Sequence, residues 1–233
     1  MSEINISNQV DDNELGAIQR IVGVFVSPGK VMKSLVENPK VLLPIILIII
    51  VPVITILLNY PAFRDALMML TEAELAELGE EFTPEMMGVF AVILAITLEA
   101  VSLPIYVLIG SLILWGILKI FQGKGRFKQY LSVVSHALLI YLLMYVVNLL
   151  VSYTSGEFDI YSSITSLGTV LPESLNGTFI YGMLSNVEVF DVWSYCVIGI
   201  GVSEVSCLSK AKSYSIVAAL YFVGLLFSGI MHM

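Results

Sequence analysis

Residues 88–118 read GVFAVILAITLEAVSLPIYVLIGSLILWGIL. This run of 31 residues holds one charged side chain, Glu99. A helix of that length rises about 46 Å at 1.5 Å per residue, against a hydrocarbon core of roughly 30 Å. The stretch is therefore expected to cross a bilayer once, tilted or projecting beyond it, with a kink at Pro104. Two crossings do not fit within it.

Working outward, four more apolar segments are long enough to span. The five are 41–60, 88–118, 131–151, 187–208 and 213–231. The composition agrees: 58% of the 233 residues are hydrophobic and only 13% are charged. Soluble domains carry about 25% charged residues. The polar stretches are too short for a separate soluble domain, so residues 41–233 read as one five-span membrane domain.

Lysine and arginine set the expected orientation. Residues 1–40 hold four: Arg20, Lys30, Lys33 and Lys40. The first loop holds only Arg64, and the second holds Lys119, Lys124, Arg126 and Lys128. The third holds none, the fourth holds Lys210 and Lys212, and the C-terminal tail holds none. With the N-terminus in the cytoplasm, ten of the 11 basic residues lie inside. The expectation is an all-α polytopic helical bundle of five transmembrane helices, N-terminus in and C-terminus out. The far side is acidic, with Asp65, Glu72, Glu74, Glu77, Glu80, Glu81 and Glu85 in the first outer loop. There Thr71–Glu81 reads as a short capped helix. In the third loop, Ile164, Leu167, Val170 and Leu171 have the spacing of a short surface helix.

Residues 1–13 read as a disordered, acidic tail without the basic start and short apolar core of a signal peptide. The first span is then expected to remain as an anchor. Residues 14–40 read as cytoplasmic amphipathic helices. Ile18, Ile21, Val22 and Phe25 form one apolar stripe, and Ser27-Pro28 reads as an N-cap with proline at the first helical position. Lys30, Lys33 and Lys40 suit anionic headgroups. This segment either lies on the membrane or a partner, or packs beneath the bundle.

The polar residues inside the spans are the candidate functional residues: Glu99, Glu204, His136 and Asn148. A charge at the bilayer centre costs roughly 2.5–3.5 kcal/mol on insertion scales. Glu99 is thus a proton or cation site, a polar anchor for a partner helix, or a protonated acid bonded to a neighbouring span. Glu204 is within reach of Lys210 and Lys212 for an interfacial ion pair. His136 and Asn148 can bond across helices. The small-residue pairs Gly199/Ser203 and Gly224/Ser228 allow close helix approach, within one chain or between copies. Trp115, Trp193, Tyr60, Tyr130 and Tyr153 form an aromatic belt.

No catalytic signature is present: no HExxH, GxSxG, P-loop or dinucleotide glycine pattern. No catalytic, cofactor-binding or metal residue is assigned. Cys196 and Cys207 sit eleven residues apart, about 16 Å along a helix, too far to bridge. The net charge of −8 argues against nucleic acid. The expected partners are the lipid bilayer and a membrane protein or a second copy.

One family fits these landmarks. Phe25-Val26-Ser27-Pro28 with Val31, then Pro39 before the first span, resembles the opening of the Yip1 family. Gly123-Lys124-Gly125-Arg126-Phe127 resembles its inner loop. Trp193 with Gly199 and Gly201, then Leu208-Ser209-Lys210-Ala211, resembles its entry to the last span. The resemblance covers about residues 20–230. Where members often carry a proline early in the third span, this chain reads Ala137-Leu138-Leu139. The short cytoplasmic segment points to a prokaryotic member in the bacterial cytoplasmic membrane. The resemblance implies a non-enzymatic membrane scaffold or accessory protein. Some bacterial relatives look like accessories to ABC-type exporters or envelope-stress systems. Eukaryotic members engage prenylated small GTPases in trafficking and shape membranes. A small proton- or cation-coupled transporter using Glu99 is the competing class.

Overall fold

The computed structural model describes residues 15–62, 64–65, 84–155 and 163–233. The expected 1–13 tail and the Thr71–Glu81 helix lie outside the described residues. The chain is an all-α membrane bundle. In order, its helices are α1 (Ala17–Val26), α2 (Pro28–Glu37), α3 (Leu42–Leu58), α4 (Pro84–Ile120) and α5 (Phe127–Ala137). A 3₁₀ turn at Leu138–Ile140 leads into α6 (Tyr141–Ser155). Two further 3₁₀ turns precede α7 (Phe179–Ser185), α8 (Val189–Ser206) and α9 (Lys210–Met231).

Four stretches are long and apolar enough to cross a membrane: Gly88–Ile120, Phe127–Ser155, Val189–Ser206 and Lys210–Met231. The expected first span, 41–60, is the 17-residue α3. It rises about 26 Å, a little less than the ~30 Å core. Val41 and Asn59 fall outside the helix as its caps. The second expected span is longer than read, because Pro84 starts α4 before the apolar run begins and the helix continues through Pro104.

The amphipathic pair forms as expected, but with one difference. Pro28 does open α2, yet the Ser27 side chain makes no capping bond. Ser27 holds the N-cap position of α2 and is also the C-cap of α1, its N–H donating to Gly23 O. In the third loop, the expected helix at residues 164–171 is replaced by 3₁₀ turns at Leu167–Val170 and Glu173–Leu175. Gly168 and Pro172 break regular helix there. The loop's α-helix lies further on, where the Thr178 hydroxyl accepts from Tyr181 N.

The interior is concentrated at one end of the bundle. There α2 packs on α8 and α5, and α5 packs on α4. Val24, Val31, Met32, Leu35, Tyr130, Val133, Val202 and Val205 are all buried. By contrast α4 stands at the edge. Only 11% of its most apolar stretch is buried, against 44% of the corresponding stretches of α5–α6 and of α8.

Candidate functional site

Within the membrane segments the polar chemistry is organised by α6. Tyr141, Tyr145, Asn148 and Ser152 recur at spacings of four, three and four residues, which places them on one helical face. Each meets a different element. The Tyr141 hydroxyl donates to Asp191 Oδ1 near the start of α8. The Tyr145 hydroxyl donates to Glu99 Oε1 of α4 at 2.7 Å. Ser163 of the following loop donates to Asn148 Oδ1 at 3.3 Å. Asn59, capping α3, donates to Ser152 Oγ at 2.6 Å in a buried contact. One residue on, the exposed Tyr153 hydroxyl donates to Leu58 O at 2.7 Å. One helix face thus ties down α3, α4, α8 and the loop that follows α6.

A second set of ties holds the opposite end. The last turn of α2 and the linker to α3 present three carbonyls, and each accepts from a side chain. Gln129 Nε2 donates to Val36 O at 2.6 Å, Arg20 Nη1 to Asn38 O at 3.1 Å, and Ser132 Oγ to Lys40 O at 2.6 Å. Gln129 also accepts from Arg126 N at 2.7 Å, closing the start of α5. The loop before α5 docks on the end of α8. Lys124 N donates to Ser206 O at 2.8 Å, and the Tyr130 hydroxyl donates to Lys124 O at 2.5 Å. Gly125 has φ +92°, and a Cβ there would fall 2.4 Å from Val205 Cγ1. Gly201 lies where a Cβ would fall 2.3 Å from Val133 Cγ1 and 2.9 Å from Met32 Sδ. Phe25 meets Trp193 edge to face, centroids 6.1 Å apart. The three separated sequence landmarks at 25–31, 123–127 and 193–211 therefore converge in space.

The four expected residues do not form one site. Glu99 and Asn148 both join the α6 stripe, through Tyr145 and Ser163. His136 lies on α5, 2% exposed, with Nδ1 donating to Ser132 O at 2.8 Å. This is a bond within its own helix rather than across helices. Glu204 is exposed on α8. Among the described residues it makes no ion pair with Lys210 or Lys212, and Lys212 instead lies over the Phe121 ring. The Gly199 surface is filled from within the chain, where a Cβ would fall 2.6 Å from the Tyr214 ring, whereas Gly224 faces open space.

Sequence reading missed Asp191, Tyr141, Tyr145, Arg20 and Gln129. The stripe 141/145/148/152 is a polar repeat of helical period, but Tyr141 and Tyr145 lie mid-span, where phenol rings also read as ordinary apolar filling. Asp191 sits in the first turn of α8, where an acid also suits the helix dipole. Chemically, the arrangement pairs carboxylates with phenolic donors. Among the described residues no group of three or more His, Cys, Asp or Glu is placed to hold a metal ion. Cys196 and Cys207 are both free, and Cys207 ends α8 in the left-handed conformation.

The Yip1 domain family model matches residues 22–231. The chain belongs to the Yip1 family. A Bacillus subtilis (strain 168) protein named membrane protein YknW is 30% identical over 129 residues, covering 53% of each chain. The match thus spans about half the length of that relative. No solved structure matches the chain.

Proposed function

We propose that this Yip1-family membrane protein is a non-enzymatic scaffold or accessory protein of a bacterial cytoplasmic membrane, assisting an ABC-type exporter or an envelope-stress system. In this reading α3 is the first of five spans, the N-terminus is cytoplasmic and the C-terminus lies outside, following the ten-to-one placement of basic residues. Residues 14–40 form the cytoplasmic helical segment and residues 41–233 the membrane domain.

One contrast carries the reading. Glu99, Asn148, Asp191 and His136 are engaged in internal ties, while α4 offers a long, mostly apolar exposed face. Leu98, Val101, Ile105, Ile109, Leu112 and Ile113 are all about half exposed or more. In a bilayer such a face is covered by lipid or by another protein's helix. A transporter would need its carboxylate in a hydrated path. Here Glu99 is bonded to a tyrosine of the adjacent helix.

The test is a photo-crosslinking amino acid at Ile109, compared with one at Phe227 on α9. The expected result is an adduct with a membrane-protein partner from Ile109 and lipid adducts alone from Phe227. Lipid adducts alone at both positions, with recovery of the chain as a monomer in mild detergent, would overturn the scaffold reading. Proteoliposome proton flux that falls with Glu99→Gln would favour transport instead.

A further inference from the structure

A cavity of about 320 Å³ lies among the spanning helices, walled by α4, α5 with the turn after it, α8 and α9. Its inner wall is buried: Leu114, Leu138, Ile198 and Val217 are each at most 6% exposed. Its rim is open: Ile113 of α4 and Val223 of α9 are 50% and 59% exposed. No charged side chain lines it, and Tyr106 and Tyr195 are the polar ones. Helix α4 packs on α3 and α5, and α9 packs on α7 and α8. The rim therefore falls between two helices whose packing neighbours lie elsewhere. A glycine stands on each side of it, Gly110 on α4 and Gly224 on α9. A Cβ at either would meet nothing within 4 Å. Unlike Gly199 and Gly201, these two serve no close approach within the chain. They leave volume instead.

We propose that this cavity binds one hydrocarbon chain of a bilayer lipid, which enters between α4 and α9 and lies against Gly110 and Gly224. Protein interiors are close-packed, so a void of this size calls for an occupant. The buried wall offers water no polar side chain, and apolar cavities stay dry. One turn of α-helix with its side chains is about 10–12 Å wide and 5.4 Å high, roughly 400–600 Å³. A partner's helix therefore does not fit, whereas a single lipid chain is narrow enough. The rim is also continuous with the outward, lipid-facing surfaces of two spanning helices. A chain seated there is held against buried residues that lipids around the bundle do not reach. The cavity lies beside the exposed α4 face of the scaffold reading and shares only Ile113 with it. The inference rests on membrane placement, and neither the scaffold reading nor the orientation enters it.

The experiment places the full chain in phosphatidylcholine liposomes doped with a phosphatidylcholine that carries a diazirine in one acyl chain. Adducts formed on illumination are mapped by mass spectrometry. They are expected on the buried wall, at Leu114, Leu138 or Val217, as well as at the outward Leu94 and Phe222. The double substitution Gly110→Leu/Gly224→Leu puts side chains where the lipid chain lies. It is expected to cut buried-wall labelling at least about tenfold and to leave Phe222 labelling unchanged. An unchanged melting curve verifies the fold. Should the leucines unfold the chain, Gly110→Ala/Gly224→Ala repeats the test with a smaller loss, since its Cβ atoms meet nothing within 4 Å. The control is Gly116→Leu, on α4 in equally open space but outside the lining. It is expected to leave buried-wall labelling as it was. Wild-type protein labelled only at outward positions would overturn the site. So would buried-wall labelling that survives in the double variant, or that falls equally in Gly116→Leu. A crosslinkable dimer with an unlabelled buried wall would put side chains of a second copy in the cavity and overturn the lipid assignment.

Discussion

The end of the bundle where α1 and α2 dock and the edge formed by α4 are built from similar residues and held in different ways. At the docking end Met32, Leu35, Tyr130, Val133 and Val205 are buried. Glycines mark the close approaches, and three carbonyls at the end of α2 and in the following linker each accept from a side chain. Along α4 most apolar side chains face outward. A few polar bonds supply the specific ties, the Tyr145–Glu99 contact among them. The difference teaches where uniqueness of structure is stored. Outside lipid, burial and packing distinguish the native state strongly. Within lipid, a leucine gains little by leaving hydrocarbon for protein, so sparse hydrogen bonds and close contacts must set helix positions.

This contrast orders a series of substitutions by size of effect. Gly125→Val should have the largest, since it forces a β-branched residue to positive φ and drives its Cβ into Val205. A loss of about 3 kcal/mol is expected from strain plus overpacking, read as the largest drop in the melting temperature of detergent-solubilised protein. Gln129→Ala should follow, because it leaves Val36 O and Arg126 N without their partner. A cost of about 2 kcal/mol is expected, measured by the same melts and by faster proteolysis around residues 36–41. Tyr145→Phe should cost about 0.6 kcal/mol, with 1.7 as an upper bound. A double-mutant cycle with Glu99→Gln would isolate that coupling, and a value near zero would remove Glu99 from the stripe. Leu112→Ala, on the outward face of α4, should change the stability of the isolated protein by less than about 0.5 kcal/mol. A Leu112→Ala loss as large as that of Gly125→Val would collapse the distinction between the two regions.

Much of the fold was legible because hydropathy is a local property. Long apolar runs, the Pro28 helix start and the amphipathic stripe at 18–25 could each be read within a short window. The departures came where local signals were weak or in competition. The 3₁₀ turn at Leu138–Ile140 occurs in an apolar run without Pro or Gly, and all three of its residues are buried. The third-loop helix was displaced because the apolar spacing at 164–171 competed with Gly168 and Pro172. Glu99 and Asn148 could be singled out by type, but their partners could not be.

By itself, then, the sequence determined that the chain lives in a membrane, that its interior is all helix, and which few polar residues must find partners there. Only the tertiary structure decided that α6 is the helix that ties Glu99 and Asp191 through its tyrosines. It also decided that α1 and α2 join the core at their end, and that Gly110 and Gly224 border one cavity. The physical reason is range. Transfer free energy is summed residue by residue along the chain, whereas a hydrogen bond such as Asn59–Ser152 depends on groups far apart in sequence meeting within a few ångströms.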